Sequence, residues 1–113
     1  MADTGPPCVY EVNLYIQPDA FEGFLAWLKP HIRELLALDG FRTATISSRE
    51  AGFEKDDSGH RLLSVRYNVA SRAALQDYFD HHAERLRGDG MTRFEGKFSA
   101  SRRILAVTDT ITL

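Results

Sequence analysis

The chain has 113 residues, enough for one domain with a hydrophobic core and too few for two. Its formal net charge of −2 disfavours broad electrostatic binding to nucleic acid or to an acidic membrane, and no apolar run approaches the roughly 18 residues of a membrane span. Cys8 is the single cysteine, which excludes an internal disulfide, and with no signal-peptide pattern at the start we expect a reducing, cytoplasmic location.

The first predicted strand covers residues 8–16 and follows a loose arm, residues 1–7. Its side chains alternate with period two, which is typical of a strand with two unlike faces. One face carries Tyr10, Val12, Leu14 and Ile16, and the other carries Val9, Glu11, Asn13 and Tyr15.

A helix is predicted after Pro18. Asp19 and Glu22 have the spacing of a capping box, in which Asp19 would cap the helix. Apolar side chains then recur at helical spacing at Phe21, Phe24, Leu25, Leu28, Ile32, Leu35 and Leu36. Pro30 removes one helical hydrogen bond, so we expect one bent helix rather than two separate ones. Gly40 predicts its C-terminal stop.

A long hairpin is predicted next. Residues 41–50 form a strand of mixed polarity, residues 51–59 a charged loop, and residues 61–69 a second alternating strand. The inward side chains of that second strand are Leu63, Val65, Tyr67 and Val69. This pattern predicts two antiparallel strands around one loop.

A second helix is predicted to begin at Ser71, which is a favourable N-cap residue. Its apolar stripe contains Leu75, Tyr78, Phe79, His82 and Leu86. Gly88 and Gly90 predict its end, and residues 91–96 predict a connector.

The last predicted strand covers residues 97–107. Phe98, Ala100 and Ile104 share one face and Leu105 and Val107 the other, and this pattern leaves the faces of Arg102 and Arg103 open. The β-rich composition of residues 108–113 is consistent with an extension of the strand.

The order β-α-β-β-α-β predicts a single α+β domain over residues 1–113, of the ferredoxin-like type. In this fold a four-stranded antiparallel sheet carries two helices on one face, and right-handed crossovers place the first and third strands in the centre. The opposite sheet face would carry Glu11, Asn13, Tyr15, Thr43, Thr45, Ser64, Arg66 and Asn68, with Val9 and Leu62. Such a face either remains exposed to solvent or packs on a second copy to form a dimeric α+β barrel with a polar interior. The sequence leaves both alternatives open, and we expect a homodimer.

Several segments of the chain together carry a resemblance to a known family. They are Val9 through Asn13, Trp27 through Ile32, Asp39 through Phe41, Tyr78 through Arg87, and Phe94 through Leu105. These segments resemble a bacterial family, the domain of unknown function 4286. The most specific of them are the helix terminus HAERLR, the run from Arg93 to Phe98, and Arg102 through Leu105. Pro30 before His31 and the longer 51–59 loop depart from the usual pattern. The resemblance implies a ferredoxin-like, dimeric fold and supplies no activity, because the family has none assigned.

The candidate ligand site is on the polar sheet face. Glu11 and Arg66 are predicted opposite each other on neighbouring strands, so a cross-strand pair is feasible. Together with Asn13, Tyr15 and Asn68 this pair could line a pocket for a small anion or amide. The alternative is a salt bridge that only fixes the register of a dimer.

Other polar groupings are weaker. Adjacent helical side chains such as His81 and His82 point about 100° apart, so we expect no metal site there. Asn13, Trp27 and either of these histidines correspond to residue types that oxygenases of the dimeric-barrel class place around one cavity. Trp27 and His31 are four residues apart and are expected to stack on one helix face.

Three functional hypotheses follow, none requiring a cofactor. The protein is a small-molecule-binding protein with a polar inter-sheet cavity, a cofactor-independent monooxygenase-like enzyme, or a non-catalytic interaction or regulatory protein. RNA binding is not expected, because the first and third strands lack the stacking aromatics and basic charge of RNA-binding sheets.

Overall fold

The structure is a computed structural model that describes residues 5–50 and 58–113. In chain order its elements are β1 (Cys8–Ile16), a 3-10 turn (Pro18–Ala20), α1 (Phe21–Leu36), β2 (Phe41–Ser48), β3 (Arg61–Val69), α2 (Arg72–His81), α3 (Ala83–Arg93) and β4 (Phe98–Ala106). The strands form one antiparallel sheet in the order β2-β3-β1-β4, with the first and third strands in its centre. The predicted ferredoxin-like α+β fold is therefore confirmed.

The hydrophobic core lies between one sheet face and the helices. Alternate residues of β1 and β3 point into it, among them Tyr10, Leu14, Val65 and Tyr67, each no more than 5% exposed. Phe24 and Leu28 of α1 and Leu75 and Tyr78 of α2 cover them from the helix side. The two unlike faces predicted for β1 are thus present, because apolar burial selects one register for the whole strand.

The predicted capping box at Asp19 is wrong. Residues Pro18–Ala20 form a 3-10 turn, so α1 begins at Phe21, and Ala20 at its N-cap offers no side-chain acceptor. Asp19 lies inside that turn, where its carboxylate accepts a hydrogen bond from Lys97 Nζ at 2.8 Å. Asp19 therefore ties the start of the helical layer to the residue before β4.

Pro30 lies inside α1, which continues through it as one helix, as expected. The helix ends at Leu36, four residues earlier than the predicted stop at Gly40. Gly40 instead adopts a left-handed φ of +84° in the turn before β2, and its Cα faces the Cβ of Ala74 so closely that a side chain would clash. Glycine is needed there for both reasons.

The second predicted helix is two helices in the structure, because the helix is interrupted at His82, whose φ of −131° is not helical. The predicted stop at Gly88 and Gly90 is also wrong, since α3 continues to Arg93 and takes in the first half of the predicted connector. Gly90 is used for packing: a Cβ on it would lie 2.5 Å from Cη2 of Trp27. Ser71 is confirmed as an N-cap, its Oγ accepting from the Ala74 N–H at 3.1 Å.

The last strand pairs with β1 along its whole length, which assigns its two faces. Arg102 lies opposite Val12 on the helix side of the sheet, and Arg103 lies opposite Glu11 on the open side. The strand ends at Ala106, so residues 107–113 do not extend it. Residues 51–57 of the predicted charged loop and residues 1–4 of the predicted arm lie outside the described residues. Within the described part of the chain, no helix is both long and apolar enough for a membrane crossing.

Candidate functional site

Three side chains hold the Glu11 carboxylate on the open sheet face. Arg66 Nε donates to Glu11 Oε1 at 2.9 Å, Arg103 Nε donates to Oε2 at 2.5 Å, and Asn13 Nδ2 donates to Oε2 at 3.0 Å. The register explains this convergence, because Arg66 and Arg103 lie opposite Glu11 on the two strands that flank β1. The cross-strand pair predicted for Glu11 and Arg66 is therefore confirmed, and Arg103 is a second cationic partner of the same carboxylate.

The electrostatics of this cluster favour the charged carboxylate. Hydrogen bonds from Arg103, Asn13 and Arg66 lower the pKa of Glu11 to about 2, against the opposing effect of its burial. Glu11 is 2% exposed, whereas the side chains of Arg66 and Arg103 are 57% and 61% exposed. One carboxylate is thus covered by two solvent-facing guanidinium groups, and the cluster carries a surplus positive charge.

The other two predicted site residues lie apart from this cluster. Asn68 Nδ2 donates to Thr43 Oγ1 at 2.7 Å, towards the β2 edge of the sheet. Tyr15 lies near the other end of β1, where it lines a shallow surface groove with Asn13 and Leu62. The five predicted residues share one face, and hydrogen bonds join Glu11 to Asn13 and Arg66.

A cavity of about 280 Å³ lies on the opposite side of the sheet, between β1, β3, β4 and the helices. Aromatic and aliphatic side chains form most of its wall. Its polar groups come from Tyr10, His31, Tyr67, Tyr78, Arg87, Ser99 and Arg102, and none of the described aspartates or glutamates lines it. Predominantly apolar walls with a few convergent polar groups are the usual composition of a small-molecule site.

Arg87 of α3 contributes to the wall of this cavity. Its Nη2 donates to the Tyr10 hydroxyl at 2.9 Å, while its Nε is buried and has no partner among the described residues. Burial raises the pKa of Tyr78 to about 12, and it raises the pKa of Tyr67 further. Both phenols therefore stay protonated at neutral pH and can donate hydrogen bonds.

Trp27 and His31 form one wall of the cavity. Their rings stack at 4.5 Å between centroids with an interplanar angle of 23°, as the helical spacing predicted. Trp27 Nε1 donates to Asp89 Oδ2 at 2.6 Å, which fixes the indole from its outer edge. Burial lowers the pKa of His31 below 6.5, and Arg102 acts in the same direction against the opposing effects of acidic neighbours. His31 is thus a neutral imidazole at neutral pH.

The residue types compared with those of the oxygenases do not meet in one place. Asn13 is on the open face of the sheet, whereas Trp27 lines the cavity on the other face. His81 pairs with Asp77 at 2.9 Å on the surface of α2, and neither His81 nor His82 lines the cavity. Among residues 5–50 and 58–113, no three histidine, cysteine, aspartate or glutamate side chains are grouped to hold a metal ion.

Cys8 is 2% exposed, and its Sγ lies 3.9 Å from the Ser71 carbonyl oxygen. Burial raises the pKa of this thiol, so the reactive thiolate is disfavoured.

Sequence reasoning missed the interior cavity and the second partner of Glu11. Arg102 and Arg103 are adjacent on the last strand, and the sequence left open which of them lies on which face of the sheet. Arg87 and Arg102 come from different elements, 15 positions apart in the sequence, and only the fold brings both to the cavity. The one available signal was the stacked pair of Trp27 and His31, which forms part of the wall.

Solved structures with the same architecture include proteins described as dimeric. A dimeric ferredoxin-like protein from an uncultured marine organism matches with a TM-score of 0.71 at 8% identity, covering 94% of this chain and 99% of that one. Rv0793 from Mycobacterium tuberculosis matches with a TM-score of 0.58 at 23% identity, over 94% and 99%. SnoaB, a cofactor-independent oxygenase from Streptomyces nogalater, matches with a TM-score of 0.60 at 11% identity, over 95% and 98%. These similarities show the shared fold alone.

The family comparison covers nearly the whole chain. No curated protein matches the sequence at a significant level. The family model described as a domain of unknown function, DUF4286, matches residues 7–108, which include every strand and helix of the structure. The chain therefore belongs to the DUF4286 family.

Proposed function

We propose that the protein is a homodimer that binds a small organic molecule in the interior cavity of each protomer. The observation that carries this proposal is the 280 Å³ cavity whose wall includes Arg87, a half-buried cation whose Nε has no partner among the described residues. A buried donor without an acceptor costs about 1–3 kcal/mol, and native proteins retain few of them. A bound molecule with an acceptor group would satisfy Arg87 and fill the space between its aromatic neighbours.

The binding proposal is tested by a thermal-shift screen of a metabolite library against the wild type and the Ala100→Leu variant. Ala100 lines the cavity from β4, so a larger side chain there occupies part of its volume. We expect at least one compound to raise the melting temperature of the wild type and to lose this effect in the variant. If no compound shifts the wild type, or if every shift survives in Ala100→Leu, the cavity is not a binding site.

The homodimer part of the proposal rests on the open sheet face. Tyr15 and Leu105 are 36% and 37% exposed there, next to the half-buried Val9 and Leu62, and a second copy would cover them. Structures with the same fold are described as dimeric, which supports such an assembly. Light scattering at micromolar concentration should give about twice the chain mass of 12.8 kDa. A monomer at that concentration would contradict it.

The Glu11 cluster has a place in this dimer. Both carboxylate oxygens already accept hydrogen bonds from Arg66, Arg103 and Asn13, so Glu11 has little capacity left for a ligand. We propose that the cluster fixes the register of the two facing sheets. Its surplus positive charge also favours an anion between the sheets, which is the second proposed site, lined by Glu11, Asn13, Tyr15, Arg66 and Asn68.

The double variant Arg66→Met with Glu11→Gln separates these two roles. If the pair is structural, this variant should recover much of the stability that Arg66→Met alone removes, because Glu11 is no longer left as an unpaired charge. If the pair holds a ligand, the double variant should fold but lose the response to an anion that stabilises the wild type. Thermal shifts of the three proteins with and without that anion distinguish the outcomes.

A cofactor-independent oxygenase is the second candidate function, favoured by a neutral His31 that lines the same cavity as Arg87 and Arg102. His31 would take a proton from an acidic methylene group of the substrate, and Arg87 would stabilise the resulting enolate. The enolate would then reduce O₂, so that one oxygen atom converts the methylene to a carbonyl and the other leaves as water. Oxygen uptake with a bicyclic aromatic ketone that has an acidic methylene group tests this candidate, and uptake that is unchanged in His31→Ala would refute it.

A further inference from the structure

We infer that the ligand of the interior cavity is a small aromatic anion, a carboxylate or phenolate, held by Arg87 and Arg102. This inference rests on the proposed binding function and specifies the chemistry of the same site. It follows from the charge of the lining, from the shape and aromatic wall of the cavity, and from the neutral groups that remain beside the two arginines.

Of the side chains that the structure describes, two guanidinium groups and no carboxylate line the cavity. Neither Arg87 nor Arg102 has an ion-pair partner in residues 5–50 and 58–113, whereas other arginines of the same chain are paired. Arg85, two residues before Arg87 on the same helix, reaches Glu34 at 3.8 Å, for example. The half-buried charge of Arg87 is costly next to apolar walls unless it is compensated, and the absence of a counter-charge among the described residues therefore favours an anionic ligand.

The two arginines differ in how they meet the cavity. Arg87 is half-buried, and its hydrogen-bond partners among the described residues include the hydroxyls of Tyr10 and Tyr78, which are both neutral, so its charge is not compensated by an anion there. Arg102 is exposed and also lines the cavity, so it lies where the cavity meets solvent. A planar guanidinium binds a carboxylate through two parallel hydrogen bonds, and the exposed guanidinium of Arg102 can supply this geometry at the mouth of the cavity.

The size and wall of the cavity limit the rest of the ligand. Its volume of about 280 Å³ is just below the range of drug-sized pockets, which start at about 300 Å³, so the ligand has roughly one or two rings. Phe24, Trp27, Tyr67 and Phe98 form aromatic walls, which favour stacked or edge-on ring contacts. An aromatic body with one acidic group matches the apolar walls and the two arginines together.

The neutral polar groups are consistent with this assignment. Tyr67 and Tyr78 remain protonated, so each can donate a hydrogen bond to an anionic oxygen. A cationic ligand would instead need a carboxylate in the wall to balance its charge. His31 is neutral and adds no competing charge. A cationic ligand would be repelled by both guanidinium groups at the distances a cavity of this size allows.

The test compares three compounds of matched shape by isothermal titration calorimetry: 2-naphthoate, 2-naphthamide and 2-naphthylmethylammonium. We expect the anion to bind at least tenfold more tightly than the amide and the cation to bind weakest. Arg102→Met should weaken naphthoate binding by about tenfold without affecting the fold, since Arg102 is exposed. Arg87→Met should weaken it further, and Arg87→Lys should restore part of the affinity if the methionine variant folds poorly.

Arg85→Met is the matched control, because Arg85 belongs to α3 and does not line the cavity. Its naphthoate affinity should equal that of the wild type. Equal binding of anion and amide would overturn the inference, as would naphthoate binding that survives both cavity variants. Binding lost only in Arg66→Met would place the anion on the open sheet face and would also overturn it.

The library screen distinguishes a wrong ligand class from a wrong binding site. If the library screen yields neutral or cationic ligands that Ala100→Leu excludes, the cavity is a binding site and its assignment to aromatic anions is wrong. If no compound of any charge binds in the cavity, the proposed function itself is wrong.

Discussion

Gly90 of α3 offers the sharpest test of how the cavity wall is built. A Cβ added at Gly90 would lie 2.5 Å from Trp27 Cη2 and 2.9 Å from Cζ2. Ordinary contact begins at 3.4 Å, so the indole must withdraw by nearly 1 Å. The hydrogen bond to Asp89 and the stack on His31 both resist this movement. We therefore expect Gly90→Ala to strain the wall on which the proposed ligand rests.

The magnitude follows from two opposing effects. Overpacking a well-packed site costs about 1–3 kcal/mol. Replacing glycine by alanine inside a helix contributes about 1 kcal/mol of stability. The net destabilisation expected for Gly90→Ala is therefore about 0–2 kcal/mol.

Gly88 provides the matched control, because it belongs to the same helix and a Cβ there would have no atom within 4 Å. Gly88→Ala should gain only the stability that alanine contributes over glycine inside a helix. Because both variants gain this contribution, their free energies of unfolding should differ by the cost of overpacking alone, about 1–3 kcal/mol. Urea unfolding followed through the single tryptophan gives both free energies of unfolding. Equal stability of the two variants would refute the argument that Gly90 is required by Trp27.

Three further predictions concern the helices and the Glu11 cluster. Pro30→Ala should be tolerated or mildly stabilising in thermal unfolding, because proline inside a helix costs about 3 kcal/mol, and strong destabilisation would show that α1 depends on the proline. Ser71→Ala should lower the free energy of unfolding by about 1 kcal/mol in urea, since the N–H of Ala74 loses its acceptor; an unchanged value would mean that this cap contributes nothing. The Glu11 carboxylate has its pKa lowered from 4.5 to about 2, so its stabilising effect is complete above about pH 4.5 and is lost as the pH falls towards 2. Glu11→Gln should therefore be less stable than the wild type at pH 7, and its melting temperature should fall less between pH 4.5 and pH 2. An equal fall of the melting temperature in both proteins over this range would contradict the prediction.

The sequence by itself determined the architecture, because hydrophobic periodicity is a local property of each segment. Period-two alternation predicted β1 at its observed bounds and identified both of its faces. The same pattern predicted the open face, including the contact between Glu11 and Arg66, because directly opposed residues of antiparallel strands share a face. The helical stripe of α1 was likewise sufficient to predict one continuous helix through Pro30.

Helix ends were less predictable, because they depend on contacts from other parts of the chain. Asp19 has the sequence context of a cap, yet it lies in a 3-10 turn and pairs with Lys97, 78 positions away. Gly90 has the context of a helix stop, yet it lies within α3, where Trp27 of another helix occupies the space that a side chain would need. In both cases a tertiary contact outweighed the local preference of the residue.

Only the tertiary structure decided the candidate site. The assignment of Arg103 to the Glu11 cluster and Arg102 to the cavity depends on how β4 pairs with β1, and a shift by one residue would exchange the two. Arg87 reaches the cavity because α3 packs on the same sheet face from a distant part of the chain. Periodicity records which side of an element is apolar, whereas a cavity is formed by the side chains that several elements bring together, and that arrangement exists only in the folded chain.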